Sequence, residues 1–169
     1  MDSVLPGLLD LGAQIVILGM GDRWLEDRFS GLANSEAGRR RIAFRCEMND
    51  GLARRIYAGS DLFLMPSAFE PCGLSQMFAL RYGTLPVVRE TGGLADSVRP
   101  YNKYTDEGNG FSFRNYSANE LYNACRDAIE LYCSDRGAWN RMVRRAMETD
   151  LGWDESARKY LELYSRLIG

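Results

Sequence analysis

Residues 61–98 read DLFLMPSAFEPCGLSQMFALRYGTLPVVRETGGLADSV and decide the fold. Asp61–Met65 and Leu85–Val88 are short apolar runs of the kind that form buried parallel strands. Between them, Gly73–Tyr82 repeats apolar residues at helical spacing. The stretch therefore predicts a βαβ unit, in which the loop after the first strand carries its residues to the carboxyl edge of a parallel sheet.

The turn at residues 70–73 is the candidate binding site. A helix N-terminus offers free backbone N–H groups that attract anions, above all phosphate. Gly73 permits close approach of a ligand to the backbone, and Glu70 lies just ahead of the helix. From residue type alone, the commoner role of Glu70 is a carboxylate that the helix dipole stabilises, and a functional role needs further support.

Two other glycine-rich turns follow predicted strands. Gly19-Met20-Gly21-Asp22 lacks the third glycine of a dinucleotide fingerprint, because Trp24 occupies that position. We therefore favour a tight turn close to a nucleotide over a dinucleotide site. Thr91-Gly92-Gly93 is a second place where backbone N–H groups can approach phosphate or ribose.

Outside this unit, strands and helices alternate and then give way to helices alone. The predicted elements are helices at Asp2–Leu11, Trp24–Asn34, Asn49–Gly59, Ser117–Cys133, Gly137–Glu148 and Glu155–Leu167, and strands at Gln14–Leu18, Ile42–Cys46 and Phe111–Phe113. This order predicts an α/β fold with a Rossmann-like doubly wound parallel sheet, in a single domain over residues 1–169.

Several local patterns carry more detailed predictions. Ser117 and Glu120 have the spacing of a capping box, and Trp153 is expected to be a packing anchor. The run at residues 39–41 is three arginines, and we favour a solvated loop over a phosphate clamp. Residues 101–110 are polar and predict a surface loop.

Composition narrows the possible functions. The 169 residues are 46% hydrophobic and 26% charged with a net charge of −2, which is typical of a globular domain and gives no reason to expect nucleic acid or a membrane as partner. Neither a membrane-spanning run nor a signal peptide is apparent, so we expect a cytoplasmic protein. Without histidine, the usual zinc sites and serine or cysteine triads are excluded within this chain, and we expect no metal or cofactor. The four cysteines lack CxxC spacing and are expected to be free thiols.

Three segments resemble the C-terminal half of bacterial glycogen synthases and plant starch synthases. They are Phe69–Leu74, Ala79–Val88 and Thr91–Asp96, and the resemblance extends from about Val4 to about Tyr164. These retaining glucosyltransferases have the GT-B architecture, in which two Rossmann-like domains close on a nucleotide sugar. The resemblance implies the C-terminal, donor-binding domain, with the N-terminal domain as a partner outside this sequence. It also implies retention by front-face displacement, without a covalent intermediate.

The resemblance also assigns roles to residues. It favours a catalytic role for the Glu70 carboxylate over the alternative that this carboxylate is only stabilised by the helix dipole. It implies contacts with the nucleotide sugar from Gly19, Gly21, Asp22, Tyr57, Cys72, Gly73, Leu74, Thr91, Gly92 and Gly93. Tyr57 keeps a second interpretation, because an aromatic residue at helical spacing is more often a packing residue. Phe78 stands where many related transferases have a second glutamate, and glycogen synthases commonly have an aromatic residue there.

The implied reaction transfers glucose from ADP-glucose, in preference to UDP-glucose, to the non-reducing end of an α-1,4-glucan. In the family, an arginine and a lysine upstream of the first helix clamp the diphosphate, and no segment of this sequence resembles their motif. We therefore expect this sequence to be part of a longer protein, inactive alone and weak in binding ADP. The alternatives are a non-catalytic nucleotide-binding module and a GT-B transferase with another acceptor.

Overall fold

The computed structural model describes residues 2–168, apart from the side chain of Glu155. The strands among these residues are β1 (Ile15–Leu18), β2 (Ile42–Arg45), β3 (Leu62–Met65), β4 (Leu85–Arg89) and β5 (Phe111–Phe113). The helices are α1 (Leu5–Asp10), α2 (Arg23–Asn34), α3 (Asp50–Gly59), α4 (Ser75–Tyr82), α5 (Gly93–Ser97), α6 (Ala118–Ser134), α7 (Arg136–Glu148) and α8 (Trp153–Ile168). Every predicted helix and strand is present, and the differences lie at element ends, which are the least certain part of any assignment.

The strands form parallel pairs, as the α/β prediction requires. β1 pairs with β2, and β4 lies between β3 and β5. The predicted α/β fold with parallel strands is confirmed. In the described residues, however, the strands form two sheets, β1–β2 and β3–β4–β5, and no ladder joins β1 to β3.

The core is centred on β4. Leu85, Val87 and Val88 are fully buried, because α4, α6 and α7 all pack against this strand. Leu80 of α4 and Met142 of α7 complete this packing and are themselves fully buried. Helix α2, which packs against β2, and helix α3, which packs against α4, have no buried residue.

Gly83 explains where α4 ends. It has a left-handed backbone with φ of 78°, a conformation that glycine adopts without strain, and its amide bonds back to the Leu80 carbonyl. The next residue, Thr84, is buried and donates its hydroxyl to the carbonyl oxygens of Tyr57 and Ser60. These bonds fix the start of β4 against the end of α3.

Two predictions of local structure are wrong. The Ser117 side chain makes no cap bond, and Glu120 accepts from the amides of Arg114 and Asn115 instead of from the Ser117 amide, which donates to the Asn115 carbonyl. Trp153 is not a packing anchor: it is the first residue of α8 and is 85% exposed. The apolar side chains of α8 are largely exposed.

Long-range contacts account for two further differences. Arg41 does not lie in a solvated loop, because its guanidinium donates to the carbonyl oxygens of Leu9 at 2.7 Å and Ala13 at 2.9 Å. Asn109 lies within the predicted surface loop but is buried, since its side chain bonds to the Arg99 amide and the Ser97 carbonyl. Arg39 and Arg40 are exposed as predicted.

The cysteines agree with the expectation from composition. All four cysteines are free thiols, and burial raises the pKa of Cys125 to about 12, so this thiol stays protonated. Among residues 2–168, no helix combines the length and the apolar character needed to cross a membrane.

Candidate functional site

The start of α4 has free backbone donors. Leu74 occupies the N-cap position, and its side chain cannot accept a hydrogen bond. Within residues 2–168, the amides of Leu74 and Ser75, which are not buried, have no hydrogen-bond acceptor. Leu74 is 59% exposed, so this helix end faces solvent. The arrangement leaves the positive end of the helix dipole available to an anion.

The turn at residues 70–73 is held directly against the turn at residues 91–93. The Gly93 amide donates to the Pro71 carbonyl at 3.2 Å. A Cβ atom at Gly92 would lie 2.0 Å from the carbonyl oxygen of Glu70, and one at Gly93 would lie 2.2 Å from that of Cys72. Both positions therefore require glycine. Because its amide is already bonded, Gly93 holds the two turns together and does not offer that donor to a ligand.

The side chain of Gln76 holds the turn at residues 70–73 from the interior of the protein. Its side chain is fully buried, and its Nε2 donates to the carbonyls of Cys72 at 3.2 Å and Gly73 at 2.9 Å. The same nitrogen lies 3.1 Å from the Ser97 hydroxyl, which donates to the Gly93 carbonyl. The carbonyls of the turn are thus engaged inside the protein. Gln76 therefore lies beneath the site, inside the protein.

Arg89 holds the loop that leads to Glu70. It ends β4, and its guanidinium donates to the carbonyls of Ser67, at 2.9 Å, and Ala68. A third bond reaches the Arg114 carbonyl at 3.4 Å, after β5. The sequence analysis missed this residue. An arginine directly after a buried parallel strand is the signal that could have identified it, since such a position lies at the functional edge of the sheet.

Glu70 keeps its carboxylate free. The residue is half-buried, and within the described part of the chain its side chain has neither a hydrogen bond nor an ion pair. Cys72, two residues further along, is exposed. A carboxylate without a protein partner, close to a glycine and ahead of free amides, is available to a ligand.

The turn at residues 19–22 lies at the end of the β1–β2 sheet, whereas the turn at residues 70–73 comes after β3. The turn at residues 19–22 follows β1, and Asp22 is the N-cap of α2 without a side-chain bond. The Gly21 amide donates to Glu26 at 2.9 Å, and this bond lowers the pKa of the Glu26 carboxyl. No hydrogen bond joins this turn to the Glu70 turn within residues 2–168. The predicted roles of Gly19, Gly21 and Asp22 stay predictions.

Tyr57 packs among aromatic rings. Its ring centroid lies 5.3 Å from that of Phe63, 6.1 Å from Tyr82 and 6.3 Å from Phe78. These contacts are those of a packing residue that connects α3 to α4 and β3. A contact of Tyr57 with a nucleotide stays a prediction. Phe78 is 51% exposed, so the aromatic cluster reaches the surface on the same helix as the free amides.

No metal site accompanies these residues. Over residues 2–168, no group of three or more acidic or cysteine side chains is placed to hold a metal ion. The site itself offers a carboxylate and backbone dipoles. Both suit a ligand that carries a diphosphate and a hydroxyl-rich group.

The profile of the family described as "Glycosyl transferases group 1" matches residues 4–147. The chain belongs to this family. As a group 1 glycosyl transferase, it is 51% identical over 162 residues to the glycogen synthase of Clostridium beijerinckii, covering 96% of this chain and 33% of that protein. The glycogen synthase of Desulforudis audaxviator is 52% identical, with 96% of this chain and 32% of that protein covered. The chain spans about a third of the length of these relatives.

Solved structures place this group 1 glycosyl transferase in the same fold. The catalytic domain of starch synthase IV from Arabidopsis thaliana, bound to ADP and acarbose, superposes with a TM-score of 0.85 and 36% identity, over 97% of this chain and 34% of that chain. Sucrose-phosphate synthase from Thermosynechococcus elongatus shares the fold with a TM-score of 0.67, over 99% of this chain and 42% of that chain, at 21% identity. The resemblance to glycogen and starch synthases, with the Rossmann-like C-terminal domain of a GT-B enzyme, is confirmed.

Proposed function

We propose that this chain is the donor-binding part of a retaining glucosyltransferase that transfers glucose from ADP-glucose to the non-reducing end of an α-1,4-glucan. The observation that carries the proposal is the turn at residues 70–76. There, free amides at Leu74 and Ser75 follow a carboxylate that has no protein partner among the described residues. The identity to glycogen synthases supports the reaction, and the starch synthase bound to ADP supports the nucleotide.

The proposed chemistry depends on the charges that develop during transfer. Negative charge builds on the departing diphosphate, and positive charge builds on the sugar ring. The amides at the start of α4 stabilise the distal phosphate, because they are fixed donors that need no reorganisation. Glu70 accepts hydrogen bonds from glucose hydroxyls and faces the developing cation. Gln76 and Arg89 position the turn and the loop that carry these groups, and neither touches the substrate.

The whole protein completes the proposed reaction. The N-terminal domain of the GT-B pair supplies the acceptor contacts and further donor contacts, and the cationic clamp on the diphosphate lies in the polypeptide before α1. The reaction needs no metal ion, and the protein works in the cytoplasm. The 169-residue chain alone therefore has no measurable transferase activity and binds ADP weakly.

The test is Glu70→Ala in the full protein, with Glu90→Ala as the matched control. Glu90 is an exposed carboxylate just after β4, and it bonds to the Ser112 hydroxyl at 2.7 Å. Loss of Glu70 is expected to lower kcat for glucose transfer about a hundredfold or more, while the Kd for ADP changes less than about threefold. Glu90→Ala should leave both quantities close to those of the parent protein.

Other outcomes distinguish the competing functions. A parent protein that binds ADP but transfers no glucose to any glucan would be a non-catalytic nucleotide-binding module. Glucose transfer that depends on Glu70 but uses a different acceptor would support the proposed donor site and change only the proposed acceptor. Full transferase activity in Glu70→Ala would contradict the catalytic role of this carboxylate.

A further inference from the structure

Helix α5 begins in the glycine turn at residues 91–93, and its position depends on bonds to other parts of the fold. The helix has five residues, too few to be stable through its own backbone bonds. At its start, the Gly93 amide donates to the Pro71 carbonyl at 3.2 Å. A displacement of α5 would therefore disturb the turn at residues 70–73.

Ser97 ends α5 and connects the helix to Gln76. Its hydroxyl donates to the Gly93 carbonyl at 2.7 Å and accepts from Gln76 Nε2 at 3.1 Å. The same Nε2 atom donates to the carbonyls of Cys72 and Gly73. The end of α5 is thus joined to the carbonyls of the site turn through one buried side chain.

Asn109 holds the backbone at the end of α5. This residue lies in the loop before β5, and it is only 6% exposed. Its Oδ1 accepts from the Arg99 amide at 2.7 Å, and its Nδ2 donates to the Ser97 carbonyl at 3.2 Å. The last carbonyls of a helix have no partner within the helix, so the Asn109 side chain acts as a cap supplied by another segment.

The Nδ2 atom of Asn109 also reaches the end of α7. It donates to the Thr149 hydroxyl at 3.2 Å, and this hydroxyl donates to the Arg145 carbonyl at 2.9 Å. Because a side-chain amide has two N–H donors, Asn109 can hold Ser97 and Thr149 at once. Ser97 and Thr149 have the same arrangement: each donates to the carbonyl four residues earlier and accepts from a side-chain amide.

The backbone beside Asn109 is itself held tightly. A Cβ atom at Gly108 would lie 2.6 Å from the Pro100 carbonyl oxygen, and one at Gly110 would lie 2.7 Å from the Pro86 carbonyl oxygen of β4. The two flanking residues therefore pack directly against other backbone, which only glycine allows. A side chain on so fixed a backbone can hold α5 in one position.

We propose that Asn109 and Thr149 are positioning residues for the turn at residues 70–73, and that they act through Ser97 and Gln76. The proposal rests on the proposed glucosyltransferase function, in which the amides after this turn stabilise the diphosphate. Those amides are effective only while their direction is fixed, so a small displacement of the turn should cost rate. Asn109 and Thr149 act on the turn and not on the substrate.

The first test compares Thr149→Val with Thr149→Ser in the full protein. Serine keeps the hydroxyl, whereas valine keeps the shape of the side chain and removes the hydroxyl. Thr149 is half-buried and follows the last residue of α7, so both variants should fold. Thr149→Val should lower kcat for glucose transfer about threefold and leave KM for the glucan unchanged, and Thr149→Ser should keep the parent kcat.

Asn109→Ala removes both connections and should have the larger effect. Its kcat should fall about fivefold or more, at a temperature well below the unfolding midpoint of the variant. Asn140→Ala is the matched control, because Asn140 is an exposed residue of α7. Combining Asn109→Ala with Gln76→Ala should lower kcat by less than the product of the two separate losses, since both act on one turn.

Hydrogen exchange at the Gly93 amide tests the same connection without any reaction. This amide is bonded to the Pro71 carbonyl, so its exchange reports how often the two turns separate. In the full protein without nucleotide, Asn109→Ala should speed this exchange about fivefold or more, and Asn140→Ala should leave it unchanged.

The proposal would be overturned by a parent-like kcat in both Thr149→Val and Asn109→Ala. It would also be overturned by parent-like Gly93 exchange in Asn109→Ala, or by losses in kcat that multiply when Asn109→Ala is combined with Gln76→Ala. Faster Gly93 exchange in Asn109→Ala together with full activity in Glu70→Ala would support the connection and contradict only the catalytic role of Glu70.

Discussion

The β3–β4–β5 sheet and the β1–β2 sheet are made of the same kind of short, apolar, parallel strand, yet they differ in how completely they are buried. Val88 of β4 is fully buried, whereas Val16 of β1 is 50% exposed. The difference comes from the neighbours: β4 has a strand on each side and helices packed on it, and β1 has one strand and an open edge. Burial in this fold therefore depends on completing the sheet, more than on the composition of a strand.

The largest expected effect is the difference in the free energy of unfolding between substitutions at Val88 and at Val16. Val88→Ala removes two fully buried methyl groups and should lower the free energy of unfolding of the chain by about 2–3 kcal/mol. Val16→Ala removes half-exposed methyl groups and should cost less than about 1 kcal/mol. Urea unfolding of both variants measures the difference.

Repeating the pair in the full polypeptide sharpens the comparison. If the additional polypeptide covers the open edge of β1, Val16 becomes buried, and the cost of Val16→Ala should approach that of Val88→Ala. Equal costs of the two substitutions in the 169-residue chain would contradict the difference in burial between the two sheets.

A smaller effect should come from substituting Gln76, with Gln14 as the control. Gln76→Ala removes the donor that holds the carbonyls of Cys72 and Gly73, and should lower the free energy of unfolding by about 2 kcal/mol. The loosened turn should also reduce kcat of the full protein about tenfold or more, because its amides lose their fixed direction. Gln14→Ala, an exposed glutamine ahead of β1, is the matched control and should change neither quantity.

A Gln76→Ala protein with normal kcat would show that the turn keeps its shape without this side chain. In that case the contact between the glycine turns, through Gly93 and Pro71, would be sufficient to position the amides.

Much of the fold could be predicted from the sequence because the signals are local. Buried strands such as Leu85–Arg89 are continuous apolar runs, and the Asn49 side chain caps α3 by accepting from the Leu52 amide, as expected. The position of Glu70 ahead of α4 also depends only on neighbouring residues. These features require no knowledge of which distant segments meet.

The features that the sequence missed depend on distant contacts. Arg41 meets carbonyls about thirty residues away, and the interior role of Gln76 depends on Ser97 of α5. Glu120 accepts from the amides at residues 114–115 instead of forming a capping box, a competition that spacing cannot decide. The division into two sheets was not predicted either, since local periodicity does not say which strands lie side by side.

The smallest effect should be seen at the helix caps. Asn49→Ala and Asp135→Ala each remove a side chain that accepts from a helix amide, at Leu52 and Ala138, and each should cost about 1 kcal/mol. Ser117→Ala should cost less than about 0.5 kcal/mol, because its side chain makes no cap bond. Thermal unfolding of the three variants compares them.

Asn49→Ala and Asp135→Ala should lower stability in different parts of the protein. Helix α3 has no fully buried residue, so Asn49→Ala should mainly speed local hydrogen exchange in α3. Helix α7 buries Trp139 and Met142, so Asp135→Ala should lower global stability. A Ser117→Ala cost equal to the other two would contradict the finding that α6 lacks this cap.

A structure of the full protein with ADP is the most direct test of the proposed donor site. The account predicts distal phosphate oxygens about 3 Å from the amide nitrogens of Leu74 and Ser75, with the Glu70 carboxylate facing the space beyond the diphosphate where the sugar binds. It would be contradicted by an ADP molecule whose phosphates contact only the turn at residues 19–22, or by a Glu70 side chain that is engaged in an ion pair within the protein.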